Sequence, residues 1–468
     1  MRELETDYLV VGAGASGMAF VDSLLSQSDA DIVMVDRRHR PGGHWIDAYP
    51  FVRLHQPSAN YGVNSRRLGS DCIEEFGPNA GYYEQASAQE ICAYYHRVLE
   101  EQFLPSGRVR FLRMSDYRGG DAEGHHVVSL LTGAQTTVKV RRKLVDATYV
   151  ESEIPSKHTP PFEVDHGVRF VPPNDVVDLT EAATGFTVIG AGKTAADTCF
   201  WLMQMGVPAD DIRWVKPREA WIFNRAFTQP LELLGSSYMQ LQARWVDAAA
   251  HAEDALDFVH RLAASGVLVR VDESIEPTMF RGSTMNMLEL EALREIENVV
   301  RLGRVRRIGT ERVELAEGTI PSDPGHVYVD CSANGVRATV PRPLFEGSHL
   351  ALQYVTVGVI PWSAATVGFI EATRDDDAEK NRLCPPVVFS GWSADLLHIA
   401  RTGLTGTLAR GAEPDFAAWS DRARLNPAGG AASRRDEPQI AEAFASLGAN
   451  MGAAMQNSER ILGAPVTT

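Results

Sequence analysis

A chain of 468 residues is long enough for two or three domains at the usual roughly 100–200 residues each. With 44% hydrophobic and 23% charged residues its composition is that of a folded globular protein, which excludes disordered and fibrous classes. Its 45 Lys and Arg stand against 61 Asp and Glu, a formal charge of -16, so no broad cationic surface is available and nucleic acid is not an expected partner.

The start of the chain carries Glu3, Glu5 and Asp7 without the basic start and long apolar stretch of a secretory signal, so a cytoplasmic location is the expectation. An apolar run, Tyr8 to Val11, leads into Gly12-Ala13-Gly14-Ala15-Ser16-Gly17, and Met18, Val21 and Leu25 follow at helical spacing. This is strand, tight turn, helix. Gly12, Gly14, Ser16 and Gly17 therefore form a cradle in which backbone N–H groups at a helix N-terminus can approach a pyrophosphate. A second apolar run, Ile32 to Val35, ends at Asp36, 19 residues past Gly17, where a carboxylate can accept hydrogen bonds from a ribose.

The segment from Arg37 reads Arg-Arg-His-Arg-Pro-Gly-Gly-His-Trp. At Gly42-Gly43-His44-Trp45 the chain resembles the two-dinucleotide-binding-domain flavoproteins, and within them the GGxW loop of flavin-containing and Baeyer-Villiger monooxygenases. The resemblance implies FAD in the first cradle, with Asp36, Arg37, Gly43, His44 and Trp45 among the residues that hold it.

Residues 86 to 104 read as a helix, and Val109–Leu112, Val127–Leu131 and Val138–Val145 as strands returning to the first sheet. Asp146 to Tyr149 is similar to the apolar, Ala-Thr-Gly exit of the family, with Tyr149 in place of the glycine. Residues 151 to 182, rich in Pro and charge, read as a linker.

A second cradle follows: Phe186 to Ile189, then Gly190-Ala191-Gly192-Lys193-Thr194. A P-loop is excluded because the glycine it needs is Thr187. Counting from Gly190 as far as Asp36 lies from Gly12 reaches Trp214, and the strand end beyond it carries Lys216 and Arg218 instead of Asp or Glu. Cations there can pair with a ribose 2′-phosphate, which favours NADPH over NADH. Val327 to Gly335 is a second exit segment, so the NADPH domain is nested within the FAD domain.

Helical patterns at 230 to 265 suit either a substrate cap or plain packing. The uncharged stretch 347 to 370 contains His349, Gln353 and Pro361 and reads as a buried strand running into a helix, so no stable membrane insertion is expected. Pro361 and Ser363 suit the start of that helix. The resemblance implies that its N-terminus faces the flavin pyrimidine, with Ser363 among the cofactor-binding residues. The fold class is α/β with two Rossmann-like dinucleotide-binding domains: 1–182 as the first part of the FAD domain with its linker, 183–330 as the NADPH domain with a helical insertion, 331–410 as the second part of the FAD domain, and 411–468 as a helical tail without a recognisable site.

Cys72, Cys92, Cys199, Cys331 and Cys384 include no CxxC pair, so neither a dithiol relay nor a metal site is expected. Dioxygen is then the main destination for electrons passed from NADPH to FAD. The resemblance implies a monooxygenase that transfers one oxygen atom to a small molecule through a flavin hydroperoxide. In the family, the segment equivalent to Tyr49–Gly62 passes the isoalloxazine and presents an amide. Gln56 or Asn60 is the candidate, steadied by His55; equally, all three satisfy backbone groups of a polar loop. Arg225 and Arg281 are the candidates for a Baeyer-Villiger arginine. The FxGxxxHxxxY fingerprint of the class is absent between Pro155 and Leu179. An FAD oxidoreductase without oxygenation and a non-enzymatic NADPH/FAD sensor therefore stay open. Homodimers occur among such flavoproteins, and the resemblance allows one here.

Overall fold

The computed structural model describes residues 2–150, 152–335 and 340–463. The chain begins β1 (Arg2–Val11), α1 (Ala15–Gln27), β2 (Ile32–Val35), α2 (Ala88–Val98) and β3 (Val109–Leu112), then the hairpin β4 (Ser115–Asp121) and β5 (Gly124–Ser129), and β6 (Gln135–Asp146). The strands β6, β1, β2 and β3 lie side by side and parallel. Every residue of β2 is buried, which is why it reads as a continuous apolar run. β1 starts at Arg2, before the run that announces it, because its polar first half pairs with β6 (Arg2 with Thr136, Leu4 with Val138). The predicted helix 86–104 is α2, capped by a Ser87–Glu90 box; Leu99–Phe103 continues it as a wider turn, and Leu104–Ser106, with Pro105, ends it. The strand expected over Val127–Leu131 stops at Ser129, leaving Leu130 and Leu131 exposed in the turn.

The next unit contains β7 (Glu163–Val164), β8 (Phe170–Val171), β9 (Gly185–Ile189), α3 (Lys193–Gln204), β10 (Ile212–Val215), β11 (Ala220–Asn224), α4 (Tyr238–His251), α5 (Ala255–Ala264), β12 (Leu268–Val269), β13 (Met279–Met285), α6 (Met287–Arg294), β14 (Val299–Val300), β15 (Val305–Ile308), β16 (Arg312–Leu315), β17 (Gly318–Pro321) and β18 (His326–Asp330). Its main sheet is parallel in the order β14-β10-β9-β18-β8. Two smaller sheets, β12-β11-β13 and β17-β16-β15-β7, stand beside it. The segment read as a linker thus supplies an edge strand to each of two sheets, β8 and β7, both too short for periodicity to reveal.

The chain returns through β19 (Phe345–Glu346) and β20 (His349–Ala351), and β20 pairs in parallel with β6, Leu350 opposite Val145. The second parallel sheet is therefore nested within the first, as expected. The uncharged stretch becomes β20, a buried loop and α7 (Ile360–Thr373), which packs on α1. Among the described residues no helix is long and apolar enough to cross a membrane. Then come α8 (Asp377–Leu383), α9 (Leu396–Gly411), α10 (Pro414–Arg422) and α11 (Pro438–Gly463), the last packed along α4. Residues 464–468 of the expected tail lie outside the described residues.

Candidate functional site

The first glycine turn links β1 to α1. The Gly12 N–H donates to the Val35 carbonyl (2.9 Å), and a Cβ on Gly17 would stand 2.1 Å from the Gly12 carbonyl oxygen. Asp36 is buried at the end of β2; its Oδ2 accepts the Ala13 N–H (2.7 Å) and its Oδ1 the Arg38 N–H (2.8 Å). The Gly42 N–H donates to the Ala13 carbonyl (2.9 Å), which brings Gly43 against Gly14. Ser16 is buried in the first turn of α1, whereas Arg37 is exposed and ion-paired to Asp116 at 3.4 Å.

Both cradle helices begin on glycine, α1 on Gly14 and α3 on Gly192, with no capping side chain and no carboxylate in the first turn. By contrast α2, α5 and α6 are capped by Ser87, Asp254 and Asn286. The first-turn N–H donors of α1 and α3 are thus left for an anion.

A cavity of about 1200 Å³ opens on the second cradle. Its walls include Gly190, Gly192, Lys193 and Thr194 from that cradle, His44 and Trp45 from the first unit's loop, and His55, Gln56 and Asn60. Gly12, Gly14, Ser16, Gly17, Asp36 and Gly43 are not among those walls. Gly190 has a φ of 146°, and a Cβ there would lie 2.4 Å from the Cys331 carbonyl oxygen, so only glycine fits. The Trp45 Nε1–H donates to the Tyr61 hydroxyl at 2.6 Å.

Two contacts that sequence reasoning missed tie the units together. The Tyr49 hydroxyl donates to Asp197 Oδ2 (2.7 Å), while Lys193 ion-pairs with Asp197 Oδ1 one turn back on α3. The Phe51 ring stacks on Trp201, centroids 4.6 Å apart. Burial, and then the Asp197 carboxylate, hold the Tyr49 phenol well above its ordinary pKa. The only sequence signal was the Lys193–Asp197 spacing on one helix face.

His55 is anchored by its backbone. Its carbonyl accepts from Gln85 Nε2 (2.9 Å), Arg225 Nε (3.3 Å) and the Thr284 hydroxyl. Arg225, 1% exposed, also reaches Asn79 Oδ1 (3.2 Å) and Glu289 Oε2 (2.8 Å). Of the two arginine candidates, then, Arg225 is fully engaged in scaffolding, and Arg281 lines the cavity. The Gln56 Nε2 makes one long contact, 3.5 Å to the Asn60 carbonyl.

Burial, then the Lys193 and Arg225 cations, lower the His55 pKa to about 3; burial and Arg38 lower His44 to about 4. Both rings are neutral at pH 7. Below the ordinary histidine pKa of about 6.5 the unfolded chain takes up these protons and the folded one does not. Stability therefore falls as pH drops from about 6.5 toward 4 and then 3. In thermal melts across this window, a His55→Gln variant is expected to lose less stability than the parent; an identical loss would contradict the assignment.

Lys216 lines the cavity, and its charge is already partnered. It is 2% exposed, and its Nζ lies 2.5 Å from Oε1 of the buried Glu219, whose Oε2 pairs with Arg301 (3.4 Å). Burial lowers the Lys216 pKa and Glu219 opposes the shift, so its charge is balanced within the protein. Arg218 lies at the cavity wall, its guanidinium 5.2 Å from the Trp392 ring centroid. Arg281 and Arg304 line the same cavity, and burial followed by their charges lowers the Arg218 pKa. Arg304 was not singled out in the sequence; its signal was the basic run Arg301 to Arg307.

Ser363 also sits differently from its expected role. Its hydroxyl accepts the N–H groups of Val355 and Thr356 (both 3.2 Å), and the cavity wall is formed by Val359, Ile360 and Trp362. All five cysteines are free, and burial raises the pKa of Cys331, the one that lines the cavity, so its thiol stays protonated.

Residues 10–68 match the NAD(P)-binding Rossmann-like domain. Over 425 residues the chain is 41% identical to Uncharacterized protein Rv2000 of Mycobacterium tuberculosis and to Uncharacterized protein Mb2023 of Mycobacterium bovis, covering 91% of this chain and 78% of each relative. The chain belongs to the family of these mycobacterial proteins. Among solved structures it is similar to the open crystal structure of cyclohexanone monooxygenase, with a TM-score of 0.52 and 14% identity over 88% of this chain and 98% of that one. A cyclohexanone-bound structure in the Rotated conformation gives a TM-score of 0.51 at 12% identity, again over 88% of this chain and 98% of the other. The chain thus shares the fold of that cyclohexanone monooxygenase.

Proposed function

We propose that the chain is an FAD-dependent, NADPH-driven monooxygenase that acts on a small molecule with dioxygen. The observation that carries this reading is the pair of uncapped glycine cradles on two parallel sheets, with Trp45 and the His55–Asn60 segment at the cavity on the second.

FAD fits the first cradle. The Gly12–Gly17 turn offers backbone donors, Asp36 retains free lone pairs at the strand end, and the Gly43–Trp45 loop lies against the turn. NADPH fits the second: Gly190 to Thr194 would receive the pyrophosphate, and Arg218 with Arg304, on the same cavity, would meet the 2′-phosphate. When bound, FAD supplies hydride acceptance from NADPH and activation of dioxygen. On the cavity wall, the neutral His55 ring and the Gln56 amide would offer hydrogen bonds without a strong acid, and the carbonyl of the buried Asn60 accepts the Gln56 amide at 3.5 Å. The five free cysteines include no CxxC pair, so this reading routes no electrons through a dithiol.

Reduction of the purified yellow protein with NADPH under anaerobic conditions, followed by mixing with dioxygen, tests this. A long-lived absorbance distinct from oxidised flavin, with little peroxide release, is the expected result. Immediate reoxidation with stoichiometric peroxide, persisting across amines, sulfides and ketones, would favour an oxidoreductase that reduces an organic acceptor. Within the same assay, Arg218→Ala and Arg304→Ala should each raise the KM for NADPH by about tenfold, the value of one charge-assisted hydrogen bond, and leave that for NADH nearly unchanged. Equal changes for both nucleotides would remove the 2′-phosphate assignment.

A further inference from the structure

The tail that carries no sequence motif forms a wall of the cavity. Phe444, Leu447 and Met451 of α11 line it together with Trp245 of α4 and Phe389. Among the described residues that α4, α9, α10 and α11 contribute to this wall, the one charged group is Arg410. Its guanidinium is 2% exposed and donates to the Leu383 (2.7 Å) and Val355 (3.3 Å) carbonyls, so its charge is already engaged. Against these helices an ionic ligand would lose its hydration with no free counter-charge on them to replace it.

Two phenols break this apolar surface. Tyr238, at the start of α4, and Tyr354 both line the cavity, and among the described residues neither hydroxyl has a hydrogen-bond partner. Burial alone pushes both pKa values up to about 12, so both remain donors at any working pH. The Tyr354 ring packs edge-on to Phe389 (5.1 Å) and lies near Tyr61, the partner of Trp45, which connects this lobe to the first unit's loop.

We propose that α4 and α11 enclose a substrate lobe for a neutral, largely apolar molecule, held through a hydrogen-bond acceptor by the Tyr238 and Tyr354 hydroxyls. That the occupant is a substrate rests on the monooxygenase reading; the lobe and its chemistry do not.

Equilibrium dialysis of the purified full-length protein tests the lobe, with FAD content assayed in parallel. The probes are 2-acetylnaphthalene, 2-ethylnaphthalene, which lacks the acceptor, and 2-naphthoate, which adds charge. The ketone is expected to bind at least about tenfold tighter than the carboxylate. Met451→Trp, or Leu447→Phe should the first not fold, should weaken both neutral probes about tenfold at unchanged FAD content. Tyr238→Phe combined with Tyr354→Phe should weaken the ketone by about threefold to tenfold and the ethyl compound by less than about twofold. Carboxylate binding as tight as the ketone's, no response to either filling variant, or equal loss of both neutral probes in the tyrosine variant overturns the proposal. A protein that binds the probes as expected but takes up no FAD defeats the monooxygenase reading alone, and one that carries FAD and binds no probe defeats the lobe alone.

Discussion

Replacing Gly17 by Ala is expected to empty the first cradle. The added Cβ would stand 2.1 Å from the Gly12 carbonyl oxygen and 3.4 Å from the Ala147 Cβ. The first neighbour is backbone at the end of β1 and cannot swing aside, so α1 must move off the sheet. The first ten residues of α1 are all buried, so that shift strains a packed core at a cost of about 1–3 kcal/mol. The turn's N–H groups lose their aim at the same time, and the protein should purify with less than about a tenth of the parent's flavin. Gly192 provides the contrast: a Cβ there meets nothing within 4 Å. Gly192→Ala should keep the parent's thermal midpoint and flavin content, while raising the KM for NADPH where the pyrophosphate must approach. The ratio of flavin to protein absorbance and a titration with NADP⁺ separate the two. Full flavin retention by Gly17→Ala would remove FAD from this turn.

The parts of the fold that were legible are those in which burial acts on consecutive residues. β2 is buried throughout and coincides with the run Ile32 to Val35, and one glycine of each cradle, Gly17 and Gly190, stands where a side chain would strike backbone. Illegible were the features that depend on a third dimension. Glu219 neutralises Lys216 from three residues on, a turn that no periodicity reports. The donors on the His55 carbonyl come from Gln85, Arg225 and Thr284, far apart in sequence. The uncharged stretch 347 to 370 reads as a strand running into a helix, but of it only His349–Ala351 pairs with β6. Beyond it the backbone is held by Ser363 and Arg410 and is apolar because it is buried. Phe444, Leu447 and Met451 have helical spacing that reads as packing, and only the fold shows a cavity on the same side as α4.

Arg225→Met should be the most disruptive single change outside the glycines. The guanidinium, 1% exposed, spans both units: His55 and Asn79 belong to the first, Glu289 to the second. Methionine keeps much of the volume but leaves the Glu289 carboxylate without its cation and Asn79 Oδ1 without its donor, while the His55 carbonyl keeps Gln85 and Thr284. Breaking a buried pair from one side costs about 3–5 kcal/mol, whereas Thr284→Val, which removes one neutral hydrogen bond, should cost about 1 kcal/mol. Urea denaturation at pH 7 measures both. A second readout separates the clamp from general packing. Arg225 lowers the His55 pKa and Glu289 raises it, so Arg225→Met removes the first influence and strengthens the second. The His55 ring should then titrate above about 3, with burial and Lys193 still holding it below the ordinary histidine range of about 6.5, followed by NMR on the folded variant. An unmoved titration together with a stability loss below about 1 kcal/mol would show that His55 is held by other means. The expected shift would instead couple the seal between the two units to the protonation of the loop that carries Gln56, because one cation acts on both.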